Sequence, residues 1–288
     1  MTRSAGSAST RRARRFVRDI VLYALLSIGA VTMLVPFAWM ISTSLKADNI
    51  LFQVPPQWIP KPVVWHNYAE TWRRMPFGRL YFNSIFVAVM VTAGRTFTSA
   101  MAGYSFARLE FPLRNQLFLT YLSVLMIPVI VTMIPKFMIF RAMGWLDTYQ
   151  VLIVPSMFTA FGTFLMRQFL MSIPTDLEDA AEIDGAGSWR TFLNVVIPLS
   201  KPALATLVIF SFLGSWNDFM WPLIVINSLE KMTLPIALRS FLGWQDEGMV
   251  SWSFLMAASV IVIGPPLVVF MTLQKNFVRG IAMTGIKG

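Results

Sequence analysis

The sequence predicts an all-α polytopic membrane protein with six transmembrane helices and a short helix in one cytoplasmic loop. Three observations predict this fold class. The 288 residues are 56% hydrophobic and only 13% charged, whereas a soluble domain carries about 25% charged residues. Six apolar stretches have the length of about 20 residues that a bilayer core requires. Helices also satisfy their own backbone hydrogen bonds in lipid.

The six stretches cover approximately residues 20–42, 80–104, 117–139, 151–170, 203–226 and 254–273. Their orientation follows from lysine and arginine, which are in excess in cytoplasmic segments near the first helix. Arginines occupy positions 3, 11, 12, 14, 15 and 18 of the N-terminal tail. This tail is therefore predicted to be cytoplasmic, and six spans return the C-terminus to the same side.

This topology divides the chain into four parts. Residues 1–19 are a basic cytoplasmic tail, and residues 20–79 contain the first helix and a long extracytoplasmic loop. Residues 80–275 hold the remaining transmembrane domain, in which residues 171–202 form a long cytoplasmic loop, and residues 276–288 are a cytoplasmic tail. No cleavable signal peptide is apparent, so the first stretch is predicted to be a retained anchor.

Composition excludes several classes of function. The absence of cysteine excludes disulfides, thiolate metal sites and cysteine catalysis. The single histidine, His66, excludes a multi-histidine metal site. The net charge of +10 suggests nucleic-acid binding only where a folded domain carries a basic face. Here the basic residues lie in short segments between apolar stretches, so membrane topology explains them better.

The predicted outer loop, residues 45–79, is rich in proline and tryptophan, including Trp58, Trp65 and Trp72. One interpretation is an interfacial loop with tryptophans at the depth of the lipid headgroups. The other is a surface that meets an extracytoplasmic partner.

The cytoplasmic loop contains a predicted helix of about two and a half turns. Thr175 and Glu178 have the spacing of a capping box, and Asp176 and Asp179 add negative charge in the first turn, where the helix dipole favours it. Gly185 is placed to end the helix in a left-handed conformation. Since so short a helix is marginal alone in water, it packs either under its own membrane domain or into a groove of another protein.

Leu177, Ala180, Ala181 and Asp184 share one face of this helix, and the two alanines at its centre let another surface come close to the backbone. The segment resembles the cytoplasmic loop signature of ABC importer permeases, E-A-A-x-x-x-G followed by x9-I-x-L-P. The matching residues are Asp179-Ala180-Ala181, Gly185, Val195, Ile197 and Pro198, with Asp for Glu, Val for Ile and Ile for Leu.

Two further segments, residues 214–222 and 277–288, are similar to the carbohydrate, or maltose-type, branch of this family. The three motifs match in order, and the resemblance covers nearly the whole chain. It is closest to the second, six-span permease subunit. The resemblance implies the type I ABC importer permease fold in a bacterial or archaeal cytoplasmic (inner) membrane.

The resemblance also implies partners: a second, different permease subunit, an ATPase dimer and an extracytoplasmic sugar-binding protein. The loop helix is then a coupling helix that fits a cleft of the ATPase. Its expected coupling residues are Glu178, Asp179, Ala180, Ala181, Ile183, Asp184, Gly185 and Pro198. The chain has no phosphate-binding G-x-x-x-x-G-K-[ST] sequence. It is therefore expected not to be an enzyme and to hold no cofactor, with ATP and Mg bound by the partner ATPase.

Polar residues inside the predicted spans are candidates for the substrate pathway, because such groups are costly in a membrane. Asn217 and Asp218 lie in the fifth span, flanked by Trp216 and Trp221. They line a cavity or contact a sugar in one interpretation. In the other, they join helices and anchor the chain at the interface.

Arg95 lies inside the second span and has no counterpart in the family pattern. A cation at this position requires a carboxylate, a group of carbonyls or an anionic ligand. An acid of this chain or of the partner permease is one expectation, and a substrate anion such as a sugar phosphate or glycerol phosphate is another.

Two other classes of protein compete with the importer. An ion-coupled secondary transporter usually has more spans and an internal repeat, and neither is apparent. A membrane enzyme needs a catalytic constellation, for which one histidine and no cysteine leave little material. The expected solute is a sugar or oligosaccharide, or alternatively a sugar-related anion.

Overall fold

The computed structural model describes residues 5–243 and 251–285, and in these ranges all regular structure is helical, as predicted. A π turn at Phe192–Val196 precedes α10, where Pro198 lacks the N–H that a regular helix needs. The α-helices of the described ranges are α1 Ala5–Ser44, α2 His66–Arg74, α3 Phe77–Arg108, α4 Arg114–Ser123, α5 Val129–Ala142, α6 Tyr149–Ile153, α7 Ala160–Met171, α8 Asp176–Ile183, α9 Ser188–Thr191, α10 Ile197–Leu199, α11 Lys201–Trp216, α12 Met220–Val225, α13 Leu234–Gly243 and α14 Trp252–Gly285.

Four helical runs of the described residues are long and apolar enough to cross a bilayer: Phe16–Ser44, Phe77–Arg108, Tyr149–Met171 and Trp252–Gln274. Two bent pairs, Arg114–Met126 with Val129–Ala142 and Ser188–Leu199 with Lys201–Trp216, bring the number to six if each pair is one span. The coarse prediction of a helical, apolar, membrane-length architecture is confirmed. The count of six stays a prediction.

Three of the predicted continuous spans are interrupted. The third, residues 117–139, bends by 99° between α4 and α5. Pro128 is the N-cap of α5, and the residue before a proline is pushed out of the helical region. The fourth, residues 151–170, contains the 3-10 turn Pro155–Met157 between α6 and α7. The fifth, residues 203–226, ends as a regular helix at Trp216 and resumes at Met220.

The helices belong to two compact units. One is the described part of residues 1–73 and 249–261, and the other is the described part of 74–248 and 262–288. In the first unit, α1 continues through most of the predicted N-terminal tail. The loop after α1 is fixed by Asn67, whose amide donates to the carbonyls of Ser44 and Lys46. Ser253 donates to Asp48 in the same unit.

The second unit is organised around α3, which packs on α7 and α11. Gly103 permits the close approach of α7, because a Cβ at this position would lie 2.5 Å from the Cβ of Met166 and 3.0 Å from the backbone N of Arg167. α3 contains no proline and is therefore continuous through its 32 residues. It presents one end to the 226–234 loop and the other to the 171–202 loop.

Candidate functional site

The predicted loop helix is present as α8, although it is shorter than expected at 8 residues. Gly185 ends it with φ +81, so the predicted left-handed C-cap is confirmed. The Gly185 N–H donates to the Glu182 carbonyl at 2.9 Å, and the Ala186 N–H donates to the Ala181 carbonyl at 2.9 Å. These two bonds satisfy carbonyls that the last turn leaves open.

The predicted capping box is wrong. Thr175 is the N-cap residue, but its backbone is helical and its side chain makes no capping bond. The Glu178 carboxylate is drawn away by Arg108 at the end of α3, whose Nε lies 2.7 Å from Glu178 Oε1. A second nitrogen of Arg108, Nη2, donates to the Ile173 carbonyl at 2.8 Å. This bond joins two ionised groups, whereas in a capping box only the carboxylate acceptor would be ionised.

The outward surface of α8 exposes apolar side chains among acidic ones. Ile183 is 87% exposed and Leu177 is 51% exposed, and Ala180 and Asp184 are exposed as well, whereas Ala181 is half-buried. Asp179 and Gly185 are also exposed. Pro198 lies apart from α8, exposed in α10 beside the 79° bend before α11.

A cavity of about 120 Å³ lies inside the second unit. It brings together two of the predicted pathway residues, Arg95 of α3 and Asp218 of the α11–α12 break. None of the ion pairs of the described residues joins these two side chains. The other lining residues are Val87, Leu152, Ser156, Gly214, Ser215, Pro222 and Thr233.

The structure gives Arg95 a backbone carbonyl as its partner. Its Nε donates to the Ser156 carbonyl at 2.9 Å, and Thr98, one turn along α3, donates to the Met157 carbonyl at 2.7 Å. Both acceptors lie in the 3-10 turn between α6 and α7. Carbonyls at such a helix end lack intrahelical partners. Two side chains of α3 therefore supply donors to the carbonyls that the break between α6 and α7 leaves open. One N–H of the guanidinium is used there, and its Nη1 lies 3.8 Å from the position of a Cβ at Gly214.

The remaining predicted pathway residues do not line this cavity. Trp216 is 2% exposed and stacks on Phe212 at 5.6 Å between ring centroids. Trp221 is 9% exposed, and its indole N–H donates to the Val151 carbonyl at 2.9 Å. Asn217 is exposed and is the C-cap of α11. Each indole already has an apolar or hydrogen-bonding partner, so stacking on a sugar requires it to leave the core.

Sequence reasoning did not single out Asp147, which organises the opposite end of α3 from α8. Its Oδ1 accepts from the backbone N–H groups of Asn227 and Ser228 at 3.1 and 3.0 Å. Its Oδ2 accepts from the Ser228 hydroxyl and, at 3.1 Å, from Lys231 Nζ. We call these four residues the Asp147 network. The nearest signal in the sequence is an aspartate in a short loop, which is too common to be informative.

α3 reaches the same loop through Asn83. The Asn83 amide donates to the carbonyls of Glu230 and Met232 at 2.8 and 2.9 Å, and its oxygen accepts from Tyr149. The Ser84 hydroxyl accepts from the Leu234 N–H at 2.7 Å. The 226–234 loop is therefore attached both to α3 and to Asp147.

These features define a class: a helical membrane transport subunit with a polar cavity inside its helices and an exposed helix on a loop. A family model described as "Binding-protein-dependent transport system inner membrane component" matches residues 97–283. The chain belongs to this family of permease subunits of ABC importers.

Curated relatives agree. The sn-glycerol-3-phosphate transport system permease protein UgpE of Yersinia enterocolitica is 36% identical over 270 residues, which are 91% of this chain and 95% of that protein. UgpE of Pectobacterium atrosepticum is 34% identical over 270 residues, with the same shares covered.

A solved structure also matches. A bacterial ABC transporter involved in the import of the acidic polysaccharide alginate has a chain with a TM-score of 0.82 and 25% identity, covering 92% of this chain and 98% of that one. The predicted resemblance to a permease of the sugar-importer type is thereby confirmed. The family match also sets aside the secondary transporter and the membrane enzyme.

Proposed function

We propose that this chain is one of two different permease subunits of an ATP-driven importer. It crosses the bacterial or archaeal inner membrane six times, with both termini in the cytoplasm. It forms half of the translocation pathway and receives its solute from an extracytoplasmic binding protein. ATP and Mg²⁺ bind a separate ATPase dimer, since the chain has no phosphate-binding loop of its own.

We assign the contact with the ATPase to α8, and the exposed Ile183 carries this assignment. An isoleucine that is 87% exposed on a capped loop helix is typical of a helix that fits a groove of a partner. Leu177 and Ala180 extend the same outward face, while Glu178 holds the helix from behind. Asp179 adds negative charge in the first turn of the helix, and Gly185 ends it.

The test is an Ile183→Asp variant in the complete transporter, purified through a tag on this chain. Burying a new carboxylate in the groove is costly, so we expect at least a tenfold loss of the co-purifying ATPase. Glu182→Gln, an exposed neighbour on the same helix, is the control and retains the ATPase. Full retention of the ATPase by Ile183→Asp would refute the assignment.

For the solute we propose a sugar-related compound that carries both an acidic group and hydroxyl groups. The relatives point to such compounds, because they belong to a transport system for sn-glycerol 3-phosphate and to an importer of the acidic polysaccharide alginate. The cavity supports it, since Arg95 offers donors to an anion and Asp218 offers acceptors to hydroxyls. A neutral sugar or oligosaccharide is the alternative.

Uptake into proteoliposomes that contain the complete transporter distinguishes the two. We expect uptake of sn-glycerol 3-phosphate and none of a neutral disaccharide. Arg95→Gln lowers uptake of the anion at least tenfold, and Arg95→Lys, which keeps the charge, lowers it less. Uptake of the neutral sugar alone, unchanged in Arg95→Gln, would identify a neutral carbohydrate as the solute.

A further inference from the structure

The Arg108–Glu178 ion pair is the closest polar link between α3 and the loop helix. Its nitrogen and oxygen lie 2.7 Å apart, and each side chain is only 12% exposed. The guanidinium also holds the Ile173 carbonyl, just before α8 begins. Arg108 is therefore attached to both sides of the turn that leads into the helix.

The geometry of this link suits it to transmit movement. A planar guanidinium with two bonds in different directions fixes orientation as well as distance. α8 also packs on α9 and on the π turn of the same loop, and Phe192 of the π turn contacts Tyr104 of α3 at 5.2 Å between ring centroids. The ion pair is the link in which a residue of α8 itself donates to or accepts from α3.

α3 then connects this residue with the cavity. Arg108 is the last residue of the helix, and Arg95 lies thirteen residues earlier, about 20 Å along the helix axis. No proline interrupts α3, so a displacement at one end moves the helix as a unit. The two neighbouring bent helix pairs lack this continuity.

We infer that Arg108 is a positioning residue that carries the movement of α8 into α3 through its ion pair with Glu178. This inference rests on the proposed coupling role of α8. The pair stays closed while α8 moves, so the cavity-lining part of α3 follows the loop helix.

The first experiment compares Arg108→Gln with wild type in the complete, reconstituted transporter. We expect the solute imported per ATP hydrolysed to fall about tenfold, while the amount of bound ATPase stays the same. Arg167→Gln is the matched control: Arg167 donates to the Phe106 carbonyl of α3 and lies over Phe118, without contacting α8. If Arg108→Gln lowered uptake and ATP hydrolysis equally, the ratio would not change and the residue would be merely structural.

A covalent replacement of the ion pair provides the second experiment. The chain has no cysteine, so Arg108→Cys with Glu178→Cys can be joined by a short bis-methanethiosulfonate reagent in a complex whose other subunits lack accessible thiols. We expect low coupling before cross-linking, recovery of at least half of the wild-type ratio after it, and loss again on reduction. A complete cross-link without recovery overturns the inference.

These results are separable from the role of α8 itself. If Ile183→Asp released the ATPase while Arg108→Gln kept wild-type coupling, the loop helix would be the coupling helix and the ion pair would be dispensable. If Ile183→Asp kept the ATPase, the proposed contact would fail irrespective of Arg108.

Discussion

The two ends of α3 are attached in different ways. At one end, Asn83 of α3 donates to two carbonyls of the 226–234 loop, and the carboxylate of Asp147 fixes the same loop by accepting from two backbone N–H groups, a hydroxyl and an ammonium. At the other, Arg108 makes one ion pair and one bond to a carbonyl. The Asp147 network fixes a loop through several redundant bonds, whereas the Arg108–Glu178 pair is a single connection. Redundancy suits a fixed support, and a single connection suits a moving one.

The two sites also differ in exposure. The Arg108 and Glu178 side chains are each 12% exposed, whereas Asp147 and Lys231 are 26% and 36% exposed. Partial burial raises the pKa of the Asp147 carboxyl. The bonds from Ser228, from the Asn227 N–H and from Lys231 outweigh this and hold its pKa well below the usual range. Asp147 therefore stays charged at any physiological pH.

Of the substitutions at the two ends of α3, removal of the Asp147 carboxylate is expected to lower the free energy of unfolding most. Asp147→Ala leaves two N–H groups, a hydroxyl and Lys231 without this acceptor, and its φ of +57 is strained for alanine. We expect a loss of about 4 kcal/mol, seen as a Tm about 10 °C lower in detergent.

Asp147→Asn is the control for this change, because asparagine tolerates a positive φ and keeps one acceptor oxygen. It should lose less than half as much. Equal losses in the two variants would show that the charge of the carboxylate, rather than the backbone conformation or a single acceptor oxygen, matters at this position.

A double-mutant cycle measures the interaction energy of the Arg108–Glu178 pair at the other end of α3. Arg108→Gln and Glu178→Gln each leave a buried charge without its partner, whereas the double variant leaves none. We expect the two effects on Tm to be non-additive by the equivalent of about 2 kcal/mol. Strict additivity would mean that the ion pair contributes nothing as a pair.

Substitution of Gly185 at the end of α8 is expected to have a smaller effect on stability. Gly185 has φ +81 with open space around it, so Gly185→Ala is opposed by backbone strain alone, at about 1 kcal/mol. Gly185→Asn, which adopts this conformation more easily, should cost about half. Amide hydrogen exchange over α8 measures both. If alanine and asparagine opened the helix equally, backbone strain would not be the cause.

The smallest effect is the pH dependence of the Asp147 network. A carboxylate whose folded pKa is depressed stabilises the fold fully above its unfolded pKa of about 3.9, and this stability is lost as the pH falls further toward the folded pKa. The Tm difference between wild type and Asp147→Asn should thus be constant between about pH 8 and 5 and shrink only below about pH 4. A decrease already at pH 6 would contradict this assignment.

The sequence predicted those features that depend on local chemistry. Apolar length and charge depletion predicted the helical membrane architecture, and Gly185 predicted the end of α8, because a left-handed residue at that point is a property of a few neighbouring residues. Pro128 likewise marks the break between α4 and α5, although the size of the bend follows from packing.

Features that depend on distant residues were missed. Glu178 was predicted to cap its own helix, but its partner lies 70 residues away in sequence. Asp147 joins a loop 80 residues further on. Trp216 and Trp221 were candidates for sugar contact, and the structure buries both, because an indole in an apolar segment satisfies core packing as readily as a ligand. Periodicity reports which face of an element is apolar, not what covers it.

The continuity of α3 has a thermodynamic consequence. If the position of one rigid helix determines both the shape of the cavity and the placement of α8, the two sites are linked, and linkage is reciprocal for equilibrium binding. If closure of the ATPase changes the affinity for the solute by some factor, bound solute changes the equilibrium constant for closure by the same factor. Binding of the solute in the cavity then shifts the ATPase toward or away from closure through α3, the same helix by which ATPase closure acts on the cavity.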